Sequence, residues 1–204
     1  MPERPWVALV TGSASGIGAA IARRMSADGM VVVVHSRTSR DAGLALANEL
    51  GGTYEQADLA DETQCKALID AVIGAHGRLD VLVNNAGISW PIPHDDLDAV
   101  TASVWRRILD VNLIAPWLLT ANALAYLRAS TKPGGGAVVN ITSHAGVRPK
   151  GSSIPYAASK ARSTTPPGCS PLPSVPTFVS MLSPRPERGQ LHRHHVTVRG
   201  RQDA

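Results

Sequence analysis

Short runs of apolar residues alternate with longer segments of mixed polarity over the first three quarters of the chain. The apolar runs lie at 7–11, 31–36, 79–84 and 136–143. Such near-continuous runs are typical of strands buried on both faces of a parallel sheet. Apolar positions recur at helical spacing between them, over about residues 17–28, 39–50, 61–76, 100–110 and 112–130. The alternation predicts an α/β fold with a doubly wound parallel sheet.

The alternation stops after Ala161. Residues 162–204 contain seven prolines among 43 residues, together with Ser, Thr, Arg and His, and only 196–198 resembles a strand. This composition predicts a disordered tail. We therefore divide the chain into a domain over 1–161 and a Pro/Arg/Ser-rich tail over 162–204.

The net charge of +4 does not belong to the domain. Residues 1–161 hold 14 basic and 14 acidic residues, whereas the tail holds six Arg and two acids. A neutral domain argues against a nucleic-acid surface, which needs a concentrated basic face. A nucleic-acid-binding tail is a weaker hypothesis, because the tail has no Lys and no interleaved aromatic residues.

Cysteine, histidine and hydropathy patterns add few candidate functions. Cys65 and Cys169 give neither a disulfide framework nor metal-ligand spacing, and His192, His194 and His195 lack partners for a metal site. The N-terminus does not resemble a secretion signal, and we expect no membrane span. The sequence therefore predicts a soluble cytoplasmic protein without a metal.

A glycine-rich turn follows the first apolar run. Gly12, Gly16 and Gly18 precede an Ala-rich helical segment. Glycine permits positive φ and close approach of the backbone, and the free amides of a helix N-terminus can hold a pyrophosphate. The alternative is a tight strand-to-helix turn without a ligand.

Several further motifs occur in an order that resembles the short-chain dehydrogenase/reductase (SDR) family in its classical form. They are TGSASGIG at 11–18, Asp58, NNAG at 84–87, Asn112, Ser143 and YAASK at 156–160. The resemblance implies a Rossmann-like sheet and a nicotinamide dinucleotide, with Asp58 at the adenine and 84–87 at the floor of the site. The candidate cofactor-binding residues are Gly12, Ser13, Ser15, Gly16, Ile17, Gly18, Ser36, Arg37, Asp58, Leu59, Asn85, Ala86, Gly87, Tyr156 and Lys160.

The end of the second apolar run bears on the choice of nicotinamide cofactor. An acid at this position suits the ribose 2′-hydroxyl of NAD, and a basic residue suits the 2′-phosphate of NADP. No acid precedes Asp41, and Ser36 and Arg37 stand at the end of the run. This favours NADP(H) over NAD(H), with a solvated loop as the alternative for Arg37 and Arg40.

The candidate catalytic residues are Asn112, Ser143, Tyr156 and Lys160. Tyr156 and Lys160 are four residues apart and share one helix face, where an ammonium group would favour the phenolate. Tyr156 can then act as general acid or base, and Ser143 could orient a substrate carbonyl. The resemblance implies that Lys160 also holds the nicotinamide ribose and that Asn112 supports a proton relay. Asn112 could at the same time cap the start of a helix.

These residues predict an oxidoreductase that transfers a hydride between NADP(H) and a carbonyl or secondary alcohol. Trp90, Pro91, Ile92 and Pro93 follow the NNAG motif and either line the small-molecule substrate or pack a loop. The alternative function is a truncated, inactive product that at most binds nucleotide.

The tail raises a separate hypothesis. Read one frame over, the codons of residues 178–182 can encode Arg-Val-Asn-Ala, which resembles the family's continuation. We interpret the tail as a frame-shifted sequence, and we expect it to leave the fifth strand without a neighbour. The resemblance also implies a homo-oligomer, which the altered C-terminus would weaken.

Overall fold

A computed structural model gives the structure of residues 5–146 and 153–161 and the backbone of Thr177–Ser183. The chain builds one parallel sheet of six strands in the order β3-β2-β1-β4-β5-β6. The strands are β1 Val7–Val10, β2 Val31–Ser36, β3 Thr53–Gln56, β4 Val81–Asn84, β5 Ala137–Ser143 and β6 Thr177–Ser183. This order confirms the predicted Rossmann-like, doubly wound parallel sheet.

Helices cover both faces of this sheet. They are α1 Gly16–Ala27, α2 Arg40–Leu50, α3 Glu62–His76, α4 Ala102–Leu109, α5 Ala115–Arg128 and α6 Ile154–Ala161. Residues of α1 and α2 pack with Ala8 and Val32 on one face of the sheet, and residues of α3 and α5 pack with Leu9 and Val33 on the opposite face. Because both faces are covered, the strands contain the uninterrupted apolar runs seen in the sequence.

Local signals explain where several helices begin and end. The Asp61 carboxylate accepts hydrogen bonds from the backbone amides of Thr63 and Gln64 and caps the start of α3. Gly51 and Gly77 follow α2 and α3 with φ of 63° and 71°, a left-handed conformation that ends a helix.

Two strands differ from the sequence-based predictions. The sequence does not predict β3, because its residues, Thr-Tyr-Glu-Gln, are only partly buried and lack an apolar run. β6 lies in the tail for which composition predicts disorder, and its backbone pairs with β5 along the whole register from Ala137↔Thr177 to Ser143↔Ser183. The expectation that β5 lacks a neighbour is therefore wrong, because β6 continues the backbone pairing of the sheet. The rest of the tail, including 196–198, lies outside the described residues.

One long helical segment bears on the expectation that the chain has no membrane span. Ala102–Arg128, which contains α4 and α5, is long and apolar enough by composition alone to cross a membrane. Part of this apolar content belongs to the hydrophobic core, which includes Ala115, Leu119, Ala123 and Leu127. A core helix passes the same compositional test, so the segment is weak evidence for a membrane.

Candidate active site

The candidate residues converge at the carboxyl edge of the sheet. Gly12 follows β1, Arg37 follows β2, Asn85 follows β4, and Ser143 ends β5. The strand order reverses between β1 and β4, and ligands of open α/β sheets bind in the crevice outside such a reversal. The topology therefore brings sequence-distant motifs to one crevice.

The glycine turn combines close packing with an exposed helix start. Gly12 has φ of +63°, and a Cβ there would lie 3.0 Å from the Ala86 Cα. A Cβ on Gly18 would lie 2.5 Å from both the Asn85 amide nitrogen and the Gly12 carbonyl oxygen. Gly16 has φ of +58°, and a Cβ there would meet open space. Gly12 and Gly18 thus permit packing within the protein, whereas Gly16 provides backbone conformation.

Ser15 and Ile17 stand at the start of α1 and are exposed. Ser15 occupies the N-cap position without a side-chain capping bond. The helix therefore begins with backbone amides that its own cap does not cover, which suits an anion.

Thr11 and Asn85 hold the turn against β4. The Thr11 hydroxyl donates to the Val83 carbonyl and accepts from the Asn85 and Ala86 amides at 3.1 and 3.0 Å. The Asn85 side-chain amide donates to the Thr11 and Gly12 carbonyls. Asn85 and Ala86 therefore stabilise the glycine turn through these hydrogen bonds. The sequence had predicted only that the two residues bind the cofactor.

Ser13, which the sequence predicts to bind the cofactor, lies in the turn with its side chain directed into the protein. It is fully buried, and its hydroxyl donates to the Val10 carbonyl at 2.6 Å and accepts from the His35 amide at 3.0 Å. Its hydroxyl therefore joins β1 to β2.

Ser36 and Arg37 end β2 in different environments. Ser36 is buried, and its hydroxyl lies 2.9 Å from the Tyr54 hydroxyl. Arg37 is exposed, and its carbonyl accepts from the Gln56 side chain. Of this pair, the Arg37 side chain is the one that solvent and a ligand can reach.

Asp58 and the buried Leu59 follow β3, and Asp58 has a partner that the sequence did not indicate. One nitrogen of the Arg107 guanidinium donates to both carboxylate oxygens, at 3.1 and 2.8 Å, and the Ala60 amide donates to one of them. Burial acts to raise the pKa of Asp58, but these bonds and the charges of Arg107 and Arg37 lower it below its usual value. The carboxylate is therefore ionised and already paired.

Asn112 lies within a π-helical turn, Asp110–Ile114, between α4 and α5. Its amide oxygen accepts from the Ile88 amide at 2.8 Å, and its amide nitrogen donates to the Ile88 carbonyl and to the Ser159 hydroxyl. The interpretation of Asn112 as a helix cap is wrong, because helical backbone continues on both sides. π-Helical turns are often found at functional sites.

Lys160 is a buried cation in α6. Its ammonium group donates to the Ile141 carbonyl at 3.0 Å, and its side chain is only 6% exposed. Burial lowers the pKa of Lys160 to about 8, so most molecules still carry the charge at pH 7. A Cβ on Gly87 would lie 3.5 Å from the ammonium nitrogen and 3.3 Å from the Asn112 amide oxygen. Gly87 therefore leaves space where Lys160 and Asn112 approach each other.

Tyr156 and Ser143 complete the candidate set. Tyr156 lies half-buried one turn before Lys160 in α6, and Ser143 lies half-buried at the end of β5. The Ser143 hydroxyl accepts from the Ala145 amide at 3.2 Å. α6 packs against β5, the 3₁₀ turn His144–Gly146 and the π-helical turn, so one corner holds all four catalytic candidates.

Several other sequence predictions can be placed. Trp90 is 42% exposed in the segment after Gly87, where it contacts solvent. No cluster of three or more metal-ligating side chains occurs within residues 5–146 and 153–161. Cys169, His192, His194 and His195 lie outside the described residues.

Sequence reasoning missed Thr11, Arg107 and Ser159. Thr11 begins the quoted TGSASGIG motif, so its position was visible although its bracing role was not. Ser159 stands inside YAASK, where its hydroxyl donates to the Tyr156 carbonyl at 2.7 Å. No local signal marks Arg107, because its partner Asp58 is 49 residues away.

Comparison with known proteins agrees with this geometry. Residues 6–164 match the family model described as short chain dehydrogenase. A protein of Streptomyces violaceoruber named "Granaticin polyketide synthase putative ketoacyl reductase 2" is 50% identical over 159 residues, 78% of this chain and 62% of that protein. The chain thus spans about three fifths of the length of this curated relative.

Two solved structures with bound dinucleotide are also similar. A blue fluorescent protein from a metagenomic library, in complex with NADPH, has a TM-score of 0.68 and 37% identity, over 76% of this chain and 63% of that one. A metagenomic short-chain oxidoreductase in complex with NADP has a TM-score of 0.66 and 37% identity, over 76% of this chain and 70% of that one.

Proposed function

Because this chain belongs to the short-chain dehydrogenase family, we propose that it carries the dinucleotide-binding and catalytic part of an oxidoreductase. The substrate is a small molecule with a carbonyl or secondary alcohol group. The cofactor supplies the hydride chemistry when bound, and the protein positions the reactants and moves a proton. The proposal concerns the whole protein, since the chain spans only part of its relatives' length.

The buried Lys160 ammonium is the observation that carries this proposal. An ammonium has three N–H donors, and among the described residues one of them has a hydrogen-bond acceptor, the Ile141 carbonyl. Burying an unpaired cation is costly unless a ligand supplies the remaining partners. Hydroxyl groups of a ribose would do so, beside the space that Gly87 leaves.

The rest of the crevice fits the remaining parts of a nicotinamide dinucleotide. The exposed start of α1, at Ser15, Gly16 and Ile17, would hold the pyrophosphate. Asp58 and Leu59 would lie at the adenine, with Asp58 held by Arg107. This donor set matches the chemistry of the group, with anion-binding amides at one end and a cation for hydroxyls at the other.

Tyr156 is assigned the proton transfer. In reduction Tyr156 donates a proton to the carbonyl oxygen, and in oxidation it removes the proton from the alcohol. Ser143 orients that oxygen, and Asn112 holds the backbone of Ile88 beside it.

NADP(H) is the proposed cofactor, in preference to NAD(H). Arg37 is exposed at the end of β2 and can pair with a 2′-phosphate. Asp58 lies near enough to act electrostatically with Arg37, so it reduces the net positive charge there. The preference therefore rests on the Arg37 hydrogen bonds as well as on its charge.

A titration tests this assignment. NADPH should bind more tightly than NADH, and Arg37→Ala should weaken NADPH binding about tenfold through loss of a charged hydrogen bond, while NADH affinity stays the same. Arg24→Ala is the matched control, because Arg24 is an exposed arginine paired with Asp28 on α1. Equal affinity of the unchanged chain for both dinucleotides would remove the NADP assignment.

Turnover with a panel of ketones and secondary alcohols tests the reaction itself. Dinucleotide binding without any change in nicotinamide absorbance would support the alternative, an inactive product that only binds nucleotide. Absence of binding would reject both.

Self-association through α5 is proposed as well. Ile114 and Trp117 are 44% and 69% exposed on this helix and the turn before it, on the side opposite its core residues. Exposed apolar side chains of this size suit an interface with a second copy. Sedimentation should show a dimer or larger species, and Trp117→Glu should shift it toward the monomer.

Cytoplasmic location stays a prediction.

A further inference from the structure

His35 is a buried histidine with no part in the proposed chemistry. It is 2% exposed near the end of β2, among the valines that build the sheet core. Yet its backbone and ring use all their polar atoms within the protein. The amide donates to the Ser13 hydroxyl at 3.0 Å, and the carbonyl accepts from the Ser13 amide at 2.9 Å.

The ring connects two segments on either side of β2. Its Nδ1 lies 3.0 Å from the Gly12 amide nitrogen, and its Nε2 lies 3.1 Å from the Ala57 carbonyl oxygen. An amide can only donate and a carbonyl can only accept. Nδ1 must therefore be unprotonated and Nε2 must carry the hydrogen, so one neutral tautomer alone satisfies both contacts.

Burial favours the same protonation state. It lowers the pKa of His35 to about 4, against the smaller opposing effect of the hydrogen bond to Ala57. A protonated ring would direct an Nδ1 hydrogen at the Gly12 hydrogen. The contact with Gly12 thus depends on the neutral ring that the interior favours.

The two segments lie next to both ends of the proposed dinucleotide site. Gly12 is the positive-φ residue that opens the glycine turn, and Ala57 directly precedes Asp58. A buried backbone N–H without an acceptor is costly. Valine at position 35, like its neighbours in β2, would leave the Gly12 amide without its acceptor.

We propose that His35 is a positioning residue for the dinucleotide: its Nδ1 fixes the glycine turn at the pyrophosphate, and its Nε2 fixes the segment that carries Asp58. The inference rests on the proposed dinucleotide-binding function. A histidine that merely filled the core would affect the melting temperature without a specific effect on either segment.

Two variants test the two hydrogen bonds of the His35 ring separately. The terminal atoms of Asn lie as far along the side chain as Nδ1, and those of Gln lie as far as Nε2. His35→Asn can therefore keep an acceptor for the Gly12 amide and lose the donor to Ala57. His35→Gln can keep the donor to Ala57 and lose the acceptor for Gly12.

Binding and amide exchange should then respond in different ways. His35→Gln should weaken NADPH binding about tenfold and accelerate hydrogen exchange at the Gly12 amide, because an unsatisfied amide frees the turn. His35→Asn should keep slow exchange at Gly12, accelerate exchange at Asp58 and the amides beside it, and weaken NADPH binding by a smaller factor of about three, because the Asp58 segment loses its bond to the ring. Nitrogen NMR of the unchanged chain should show a neutral His35 ring with its hydrogen on Nε2.

His76→Gln is the matched control. His76 also contacts β3, where its Nε2 lies 3.0 Å from the Thr53 hydroxyl, but at the opposite end of the strand from the crevice. This variant should bind NADPH like the unchanged chain even if its melting temperature falls.

Each outcome decides a separate claim. If the unchanged chain binds NADPH and His35→Gln binds it equally well, the positioning role is wrong while the proposed function stands. If the unchanged chain binds neither dinucleotide, the proposed function is wrong and the inference with it. If His35→Gln does not fold, an Nδ1-protonated ring in the unchanged chain, or fast hydrogen exchange at Gly12 in His35→Asn, would overturn the inference.

Discussion

The glycine turn and the catalytic corner lie at the same edge of the sheet, but their buried polar groups differ in how well they are paired. In the turn, the hydroxyls of Thr11 and Ser13 and the Asn85 side-chain amide all have hydrogen-bond partners. In the corner, the buried Lys160 ammonium has one hydrogen-bond partner among the described residues, the Ile141 carbonyl, and in neighbouring β4 the buried Asn84 amide oxygen has none.

This difference indicates two kinds of contribution to function. The turn is organised in advance by internal bonds, so a ligand meets a backbone that is already in place. The corner keeps polar groups poorly paired at a cost in stability, which a ligand can recover. Substitutions in the turn should therefore lower the free energy of unfolding. Substitutions of the poorly paired groups in the corner should raise the free energy of unfolding and reduce ligand binding or activity.

Tyr156→Phe should have the largest effect. It removes the proton donor and leaves the shape of α6 unchanged, so kcat should fall about 100- to 10,000-fold. Dinucleotide affinity should stay within about threefold, because the phenol acts on the substrate oxygen. Steady-state kinetics and a binding titration measure the two quantities, and retention of most of kcat would refute the acid/base assignment.

Thr11→Val tests the organised turn. Valine keeps the shape of threonine but gives the Asn85 and Ala86 amides no acceptor. The free energy of unfolding should fall by about 2–3 kcal/mol. Urea unfolding measures the change, with Thr63→Val as a control, since the Thr63 hydroxyl bonds at an exposed helix start. An equal loss in both variants would contradict the special role of the turn.

Lys160→Met tests the opposite expectation for the catalytic corner. The lowering of the Lys160 pKa to about 8 corresponds to about 3 kcal/mol against the buried charge. Loss of the bond to Ile141 offsets part of this gain. The nucleotide-free variant should be more stable than the unchanged chain at pH 7 by about 2 kcal/mol, and it should bind NADPH more weakly.

The pH dependence checks the same prediction. Lys160 binds its proton less tightly when folded than when unfolded, so the free energy of unfolding should rise as the pH increases from about 8 to about 10.5. Lys160→Met should lack this rise. If Lys160→Met is less stable than the unchanged chain at pH 7, or if its free energy of unfolding still rises between about pH 8 and 10.5, burial of the Lys160 charge does not lower the stability.

Arg107→Met should have the smallest effect, because it breaks a partly exposed ion pair. Asp58 and Arg107 side chains are 32% and 29% exposed, so the free energy of unfolding should fall by about 0.5–1 kcal/mol. The pair lowers the pKa of Asp58, so its contribution is present above the usual carboxyl pKa and is lost as the pH falls through the folded value. Denaturant unfolding of the unchanged chain and of Arg107→Met at pH 7 and at pH 3 measures this loss. If the variant is destabilised by the same amount at both pH values, the ion pair is not the cause.

The secondary structure was predictable where a segment's own pattern matched its final environment. β1, β2 and β4 are almost wholly buried and β5 is buried in part, so their apolar runs were sufficient evidence. β3 could not be predicted, because its half-buried Thr-Tyr-Glu-Gln sequence resembles a loop. β6 was not predicted, because the composition of the whole Pro/Arg-rich tail was used and its seven strand residues are a small part of it. In the structure the backbone of β6 pairs with β5.

From the sequence alone it was possible to predict four of the six strands, the glycine turn after β1 and the placing of Tyr156 and Lys160 on one helix face, because these depend on residue type and local spacing. Which polar atoms form hydrogen bonds became clear from the packed structure. It buried Ser13 between two strands, paired Asp58 with Arg107 and placed the His35 ring between Gly12 and Ala57. Hydrogen bonds between residues distant in sequence depend on how the strands and helices pack, and no local pattern records that packing.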